Sequence, residues 1–211
     1  MAKTILAIAG ASASGKTFFT QTIYRELLKE IPDANLAVIE EDAYYHEQSQ
    51  IPFKQREKIN YDHPNAFDHE LLLAHLKALR NGDTIDVPIY DFAEHNRAPY
   101  PKVRHIDKAE IIIVEGILLL HDPILRDEFD IKVFIETPLD ICLLRRLQRD
   151  IRERGRSIES VAAQYQNTVR PMFYDFIEPS KQHADLTISG NQDNRAGIEL
   201  IKQNIKALLF L

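Results

Sequence analysis

The chemistry of this sequence concentrates in eight residues, Gly10, Ala11, Ser12, Ala13, Ser14, Gly15, Lys16 and Thr17, which read GASASGKT. Glycines at both ends let the backbone turn so that successive N–H groups converge on an anion. Lys16 adds a point charge suited to outer phosphates, and Thr17 offers a hydroxyl to Mg²⁺. The pattern is short enough to arise by chance. Here an apolar run, Ile5 to Ala9, leads into it and a helical pattern leads out, so the loop is expected to cradle nucleotide phosphates at a helix N-terminus. Acidic residues stand at two further strand ends. Glu40, Glu41 and Asp42 follow one apolar run, and Glu115 ends another, Ile111 to Val114. Ligands of open α/β sheets bind beyond the carboxyl ends of the strands, so these acids face the same crevice as the loop. Glu115 is expected to hold Mg²⁺ with Thr17, directly or through water.

A second concentration runs from Pro138 to Arg156. Wound at about 100° per residue, it places Ile141, Leu143, Leu144, Leu147 and Ile151 on one side and Arg145, Arg146, Arg149 and Arg152 on the other. Read alone, this is equally a solvated helix face partly neutralised by Asp150 and Glu153. Beside a phosphate loop, residues 145–156 read better as a lid, because guanidinium groups hold phosphate oxygens bidentately and offset transition-state charge. Gly155, between Arg154 and Arg156, is its expected hinge.

The elements that must position these groups follow from periodicity and punctuation. Strands are expected over 3–9, 36–39, 111–115, 131–136 and 185–189, and helices over 16–29, 68–80 and 194–210, with a short helical segment at 123–128. Asp68 is the expected N-cap of the 68–80 helix, and Asn81-Gly82 its stop. Residues 46–67 form a polar excursion, and 84–90 with 102–106 an antiparallel hairpin outside the main sheet. The stretch 157–181 is helical, and Pro171 should split it into two segments near Arg170. Together these give an α/β P-loop NTPase fold: a central, mostly parallel five-stranded sheet flanked by helices, with a small β-hairpin, a helical insert and an arginine-rich lid. The domain organisation is one domain over 1–211, with insertions at 43–67 and 84–106.

Composition narrows the function. The 211 residues are 45% hydrophobic and 27% charged, enough for a sizeable core. A net charge of −6 supplies no global attraction to nucleic acid. No targeting or membrane-spanning segment is evident, and the single cysteine, Cys142, suits a reducing compartment, so a cytoplasmic enzyme with no membrane partner is expected. The eight histidines show no zinc spacing. Asn191-Gln192-Asp193-Asn194 lacks the lysine of a guanine-reading N-K-x-D element, which favours a phosphotransferase over a GTPase switch.

The segments GASASGKT, EDAYY, NYDHPNAFD, PIYDFAEHNR, EGILLL, RRLQRDIRERGRS, AQYQNTVRPMF and EPSKQHAD resemble, in the same order, the uridine-cytidine kinase family, most of all its bacterial members. The resemblance implies transfer of the γ-phosphate of ATP or GTP, with Mg²⁺, to the 5′-hydroxyl of uridine or cytidine, in pyrimidine salvage. It also implies a homotetramer and feedback inhibition by UTP or CTP. By position it makes Asp42 the acceptor base, Asp62 the ribose ligand, and Tyr90 and His95 the readers of the pyrimidine, placing the nucleoside in the two insertions. Arg156 and Gln164 become nucleoside contacts, Arg146, Arg149 and Arg154 phosphate contacts, and Tyr45 a site tyrosine; Lys16, Arg149 and Arg154 act with Asp42 in catalysis. After Ala184-Asp185 the family often continues with proline, arginine and glycine, whereas this chain reads Leu186 to Asn191, a departure that bears on recognition of the donor base. Two alternatives stand beside this reading: a kinase of related fold acting on pantothenate or a sugar phosphate, and a nucleotide-binding regulatory module without turnover.

Overall fold

The computed structural model describes residues 4–190 and 194–209. In chain order its elements are β1 (Thr4–Gly10), α1 (Lys16–Glu30), β2 (Leu36–Glu40), α2 (Phe53–Arg56), α3 (His69–Asn81), β3 (Ile85–Pro88), β4 (Tyr90–Asp91) and β5 (Asn96–Arg97). There follow β6 (Val103–Ile106), β7 (Ile111–Gly116), α4 (Pro123–Arg126), β8 (Ile131–Glu136), α5 (Leu139–Arg154), a helix α6 over 158–183, β9 (Leu186–Ser189) and α7 (Arg195–Leu209). The central sheet has the order β2-β7-β1-β8-β9 with every pair parallel, rather than mostly so. Residues 3, 191–193 and 210, which fall within the expected first strand, the N-K-x-D test and the expected last helix, lie outside the described residues.

Both faces of the sheet are covered, which is why its strands read as continuous apolar runs. Alternate residues feed two cores. Ile5, Ala7, Ile112 and Val114 pack with Leu72, Leu76 and Leu79 of α3. Leu6, Ile8, Ile111 and Ile113 pack with Phe19, Ile23 and Leu27 of α1 and Ile198, Ile201 and Ile205 of α7. Asp68 caps α3 by accepting from the Leu71 N–H at 3.0 Å, and Gly82 ends it in a left-handed conformation, as the sequence predicts. The expected hairpin is present as two ladders, β3 with β6 and the smaller β4 with β5.

Two expectations are corrected. The inward stripe of α5 is Cys142, Arg146 and Asp150, whereas Leu144 and Ile151 are exposed. This helix lies over the crevice instead of a sheet face, so its buried side is set by the polar groups it must present there. Helix α6 is not split at Pro171. Helical dihedrals persist throughout, and π-turns at Tyr165–Val169 and Phe173–Ile177 each end two residues before a proline, Pro171 and Pro179. The wider turn relieves the clash between the proline ring and the carbonyl four residues back. Among the described residues no helix is long and apolar enough to cross a membrane.

Candidate active site

The register of the sheet brings the three strand ends together. Glu115 pairs with Ile8 on one side and Glu40 on the other, so the ends of β1, β7 and β2 deliver the phosphate loop, Glu115 and Asp42 to one edge. In the loop, Gly15 takes φ 100°, which only glycine adopts without strain, and Ala13 takes φ 63°. Those conformations let the backbone make the tight turn that the expected phosphate cradle requires. Lys16 Nζ reaches back to the Ala11 carbonyl at 3.4 Å. The Ser14 carbonyl is held by Thr137 Oγ1 (2.8 Å) and Arg145 (3.1 Å), and the same Arg145 nitrogen reaches the Gly190 carbonyl at 3.3 Å.

Thr17 Oγ1 donates to Glu115 Oε1 at 2.9 Å, so the two expected metal ligands are in contact. Glu115 Oε2 is buried with no hydrogen-bond partner, as a carboxylate would be whose second oxygen awaits a cation. Hard oxygen donors of this kind fit Mg²⁺. Burial pushes the Glu115 carboxyl above its usual value, while Lys16 and the Thr17 and Thr20 hydroxyls pull it back.

Asp42 sits in the turn that follows β2. Burial raises its carboxyl above the ordinary aspartate range, with Glu41 and Asp62 adding to the effect and Lys16 and Arg154 opposing it. Asp62 is buried and lines a cavity with Ala11, Ser12, Arg146, Cys142 and Phe173. The turn preceding Pro64 is made by neighbours, because Asn60 Oδ1 accepts from the Asp62 N–H and His63 Nδ1 from the Asn65 N–H. The Asp62 carboxylate is thereby left to face the cavity. Burial raises it also, opposed by Arg146, Lys16 and Arg149.

The aromatic residues form one box. Tyr45 stacks on Phe67 at 4.3 Å and meets Tyr90 at 4.9 Å and Tyr61 at 5.2 Å. His95 stacks on Tyr61 at 5.6 Å and holds φ 48°, an uncommon conformation for a residue with a side chain. Burial holds its imidazole below the usual value, which favours the neutral form. Arg97 locks this hairpin to the end of β2 through the carbonyls of Tyr45 (2.7 Å) and Tyr44 (3.3 Å) and the carboxylate of Asp68 (3.1 Å).

The arginines of the expected lid converge on Asp150, which by sequence is only a partial neutraliser of their charge. Asp150 is fully buried and faces Arg149 Nε at 2.9 Å, Arg146 Nε at 3.5 Å, and Arg154 and Arg156 at 3.7 Å each. Gln164 Oε1 accepts from both Arg146 and Arg156, and Arg146 also donates to Ser12 Oγ of the loop at 2.9 Å. Arg154 lies over the Phe92 ring at 4.9 Å, so lid and hairpin touch. Arg152 stays in solvent. The periodicity of α5 carried a signal for Asp150, since it follows Cys142 and Arg146 at intervals of four. Glu41, one of the strand-end acids expected to face the crevice, instead turns its buried carboxylate to His69 and the Ile117 and Leu118 amides, while His69, Tyr61 and Arg97 carry no spacing signal of their own.

A phosphate loop at the head of a parallel sheet, two carboxylates beside it and arginines over it define a P-loop kinase. The phosphoribulokinase/uridine kinase family model matches residues 5–196, and the chain belongs to that family. It is 53% identical over 205 residues to the uridine kinase of Pasteurella multocida (strain Pm70), covering 97% of this chain and 94% of that protein. To the uridine kinase of Escherichia coli (strain K12) it is 52% identical over 201 residues, covering 95% and 93%. Among solved structures, phosphoribulokinase from Rhodobacter spheroides superposes with a TM-score of 0.66 at 14% identity, covering 88% of this chain and 69% of that one. D-glycerate 3-kinase from Cryptococcus neoformans gives 0.61 at 19% identity, covering 84% and 80%. These two likenesses are of fold.

Proposed function

We propose that this protein is a uridine kinase that transfers the γ-phosphate of ATP or GTP to the 5′-hydroxyl of uridine or cytidine, yielding UMP or CMP. What carries the reading is identity at about half of all positions, over nearly the whole chain, with proteins named for that activity. In this scheme the ionised Asp42 carboxylate accepts a hydrogen bond from the 5′-hydroxyl and takes its proton as that oxygen bonds to the γ-phosphorus and the bond from the γ-phosphorus to the β-phosphate oxygen breaks, releasing ADP or GDP. Asp62 accepts from the vicinal 2′- and 3′-hydroxyls, which holds the ribose and disfavours deoxyribonucleosides. Tyr90 and neutral His95, backed by Tyr45 and Tyr61, hold the pyrimidine. A neutral imidazole donates or accepts according to tautomer, and so suits both the 4-oxo and the 4-amino group.

The loop amides and Lys16 hold the donor phosphates, while Arg146, Arg149 and Arg154 offset charge on the transferring group and keep water out. Arg156 and Gln164 complete the acceptor side. Mg²⁺, held by Thr17 and by Glu115 directly or through water, would neutralise the β- and γ-phosphate oxygens. A role in pyrimidine salvage in the cytoplasm, a homotetrameric assembly, and inhibition by UTP or CTP belong to the same proposal.

The test is release of ADP from Mg-ATP, or of GDP from Mg-GTP, against uridine, cytidine, deoxyuridine, pantothenate and ribulose 5-phosphate in parallel. Turnover of the two ribonucleosides is expected. Turnover of neither refutes the reading, and turnover of pantothenate or ribulose 5-phosphate instead replaces it.

A further inference from the structure

The carboxylate of Glu41, one residue before Asp42, is fully buried and is given no contact with substrate, phosphate or metal above. Its Oε2 accepts from the N–H groups of Ile117 at 2.6 Å and Leu118 at 3.0 Å, the amides just past Glu115 and Gly116. Its Oε1 lies 2.8 Å from Nε2 of His69, the first residue of α3, whose ring stacks on Phe67 at 5.4 Å. The approach is so close that a Cβ built on Gly116 would sit 2.2 Å from Oε2. Position 116 therefore admits no side chain while Glu41 stays where it is.

We propose that Glu41 is a positioning residue, a buried clamp that ties the end of β2 to the end of β7 and so sets the Asp42 carboxylate against the Glu115 carboxylate. The inference rests on the roles proposed for those two acids. Pairing between β2 and β7 stops at Glu40 and Glu115; β2 passes into a helical turn at Glu41, and β7 leaves the sheet after Gly116, which still pairs with Ala9 of β1. No ladder hydrogen bond then governs how far apart the two following segments lie. Glu41 supplies the missing link with two charge-assisted bonds, which are shorter and stronger than neutral ones. A buried carboxylate persists only with compensation, and His69 together with the two amides provides it.

A residue that merely stabilised the fold would, when removed, loosen every property of the site together. A clamp between the acceptor base and the metal acid acts chiefly on turnover, because the hydrogen bonds of the Glu41 carboxylate go to Ile117, Leu118 and His69 and it meets the aromatic box only through the His69 ring on Phe67. Misplacement by about 1 Å costs on the order of 10²-fold in rate. The experiment compares Glu41→Met, which fills the space without an acceptor, with Glu41→Gln, which keeps one acceptor oxygen for the amides. The readouts are kcat and KM with Mg-ATP and uridine, calorimetric Kd for uridine and for ADP, and hydrogen-exchange rates at the Ile117 and Leu118 amides.

The Met variant is expected to lose about 10²-fold in kcat, to keep both Kd values within about threefold, and to exchange faster at the two amides; the Gln variant recovers most of the rate. Gly116→Ala, which displaces Oε2 from the opposite side, should reproduce the Met result and stands in for it should that variant not fold. A Met variant with kcat within about threefold of the parent overturns the proposal, as do Kd values that rise in step with the loss of kcat, or a Gln variant no faster than Met. A parent that fails to phosphorylate uridine would refute the proposed function instead. In that event unaltered exchange at Ile117 and Leu118 in the Met variant still overturns the clamp.

Discussion

Replacing Asp150 by asparagine should leave four guanidinium groups crowded around a neutral amide. The carboxylate is completely buried, with one guanidinium nitrogen at 2.9 Å and three at 3.5–3.7 Å. A pair of unit charges about 4 Å apart gains about 4 kcal/mol at an effective dielectric constant near 20, so the gross attraction is several times that. Most of it is cancelled by the cost of burying the carboxylate and by repulsion among the arginines, of which all but Arg146 keep about a third of their side chains in water. Removing one partner from a buried ion cluster costs about 3–5 kcal/mol. At roughly 2–4 °C per kcal/mol for a chain of this size, the ligand-free Tm should fall by roughly 6–20 °C. Phosphates can take the place of the missing counter-charge, so a non-hydrolysable ATP analogue with uridine should raise the variant's Tm by more than it raises the parent's. Thermal unfolding with and without these ligands reads both effects. A ligand-free Tm within about 2 °C of the parent, or equal ligand-induced gains, refutes Asp150 as the hub of the lid.

Asp42→Asn should abolish turnover while calorimetry still detects uridine binding; an active variant removes Asp42 from the role of base. The same variant carries a pH signature. Because burial raises the folded-state carboxyl above its unfolded value of 3.8, its contribution to stability is fully present below pH 3.8 and is lost as pH rises through the folded value. Ligand-free Asp42→Asn should therefore melt above the parent at pH 7, and the gap should close as pH falls through that window. A constant gap counts against the buried charge. Asp62→Asn should reduce kcat/KM for uridine by about tenfold or more and narrow the uridine-to-deoxyuridine ratio, since one charge-assisted bond to the vicinal hydroxyls is lost; parallel assays with the two nucleosides measure it. Replacing His95 by alanine should change the ratio of kcat/KM for uridine and cytidine, and an unchanged ratio would show that the base is read elsewhere.

The legible parts of the fold were those with strong local signals. β1, β7 and β8 are apolar runs buried on both faces, and α3 carries both of its caps in Asp68 and Gly82, so their places follow from short-range physics. The misread elements are those where a tertiary neighbour overrides the local pattern. In α5 the apolar residues Leu144 and Ile151 lost the inward face because the helix meets the crevice rather than a sheet. In α6 two π-turns let the helix continue through Pro171 and Pro179, an adjustment that composition does not announce.

From its residues alone this chain declares the phosphate loop, the acids at the strand ends, the arginine-rich helix, and a close likeness to one family. These are legible because phosphate binding demands particular residue types at fixed spacing along a single turn. What only the tertiary structure decides is which of those groups meet. That Glu115 touches Thr17 and that Glu41 reaches Ile117 and Leu118 depend on contacts between segments up to 98 residues apart, whereas the four arginines around Asp150 lie within six residues of it along the chain. Parallel pairing of β2, β7 and β1 brings those segments together, and the register of a sheet is settled by burial across the whole domain, not by any one stretch of sequence.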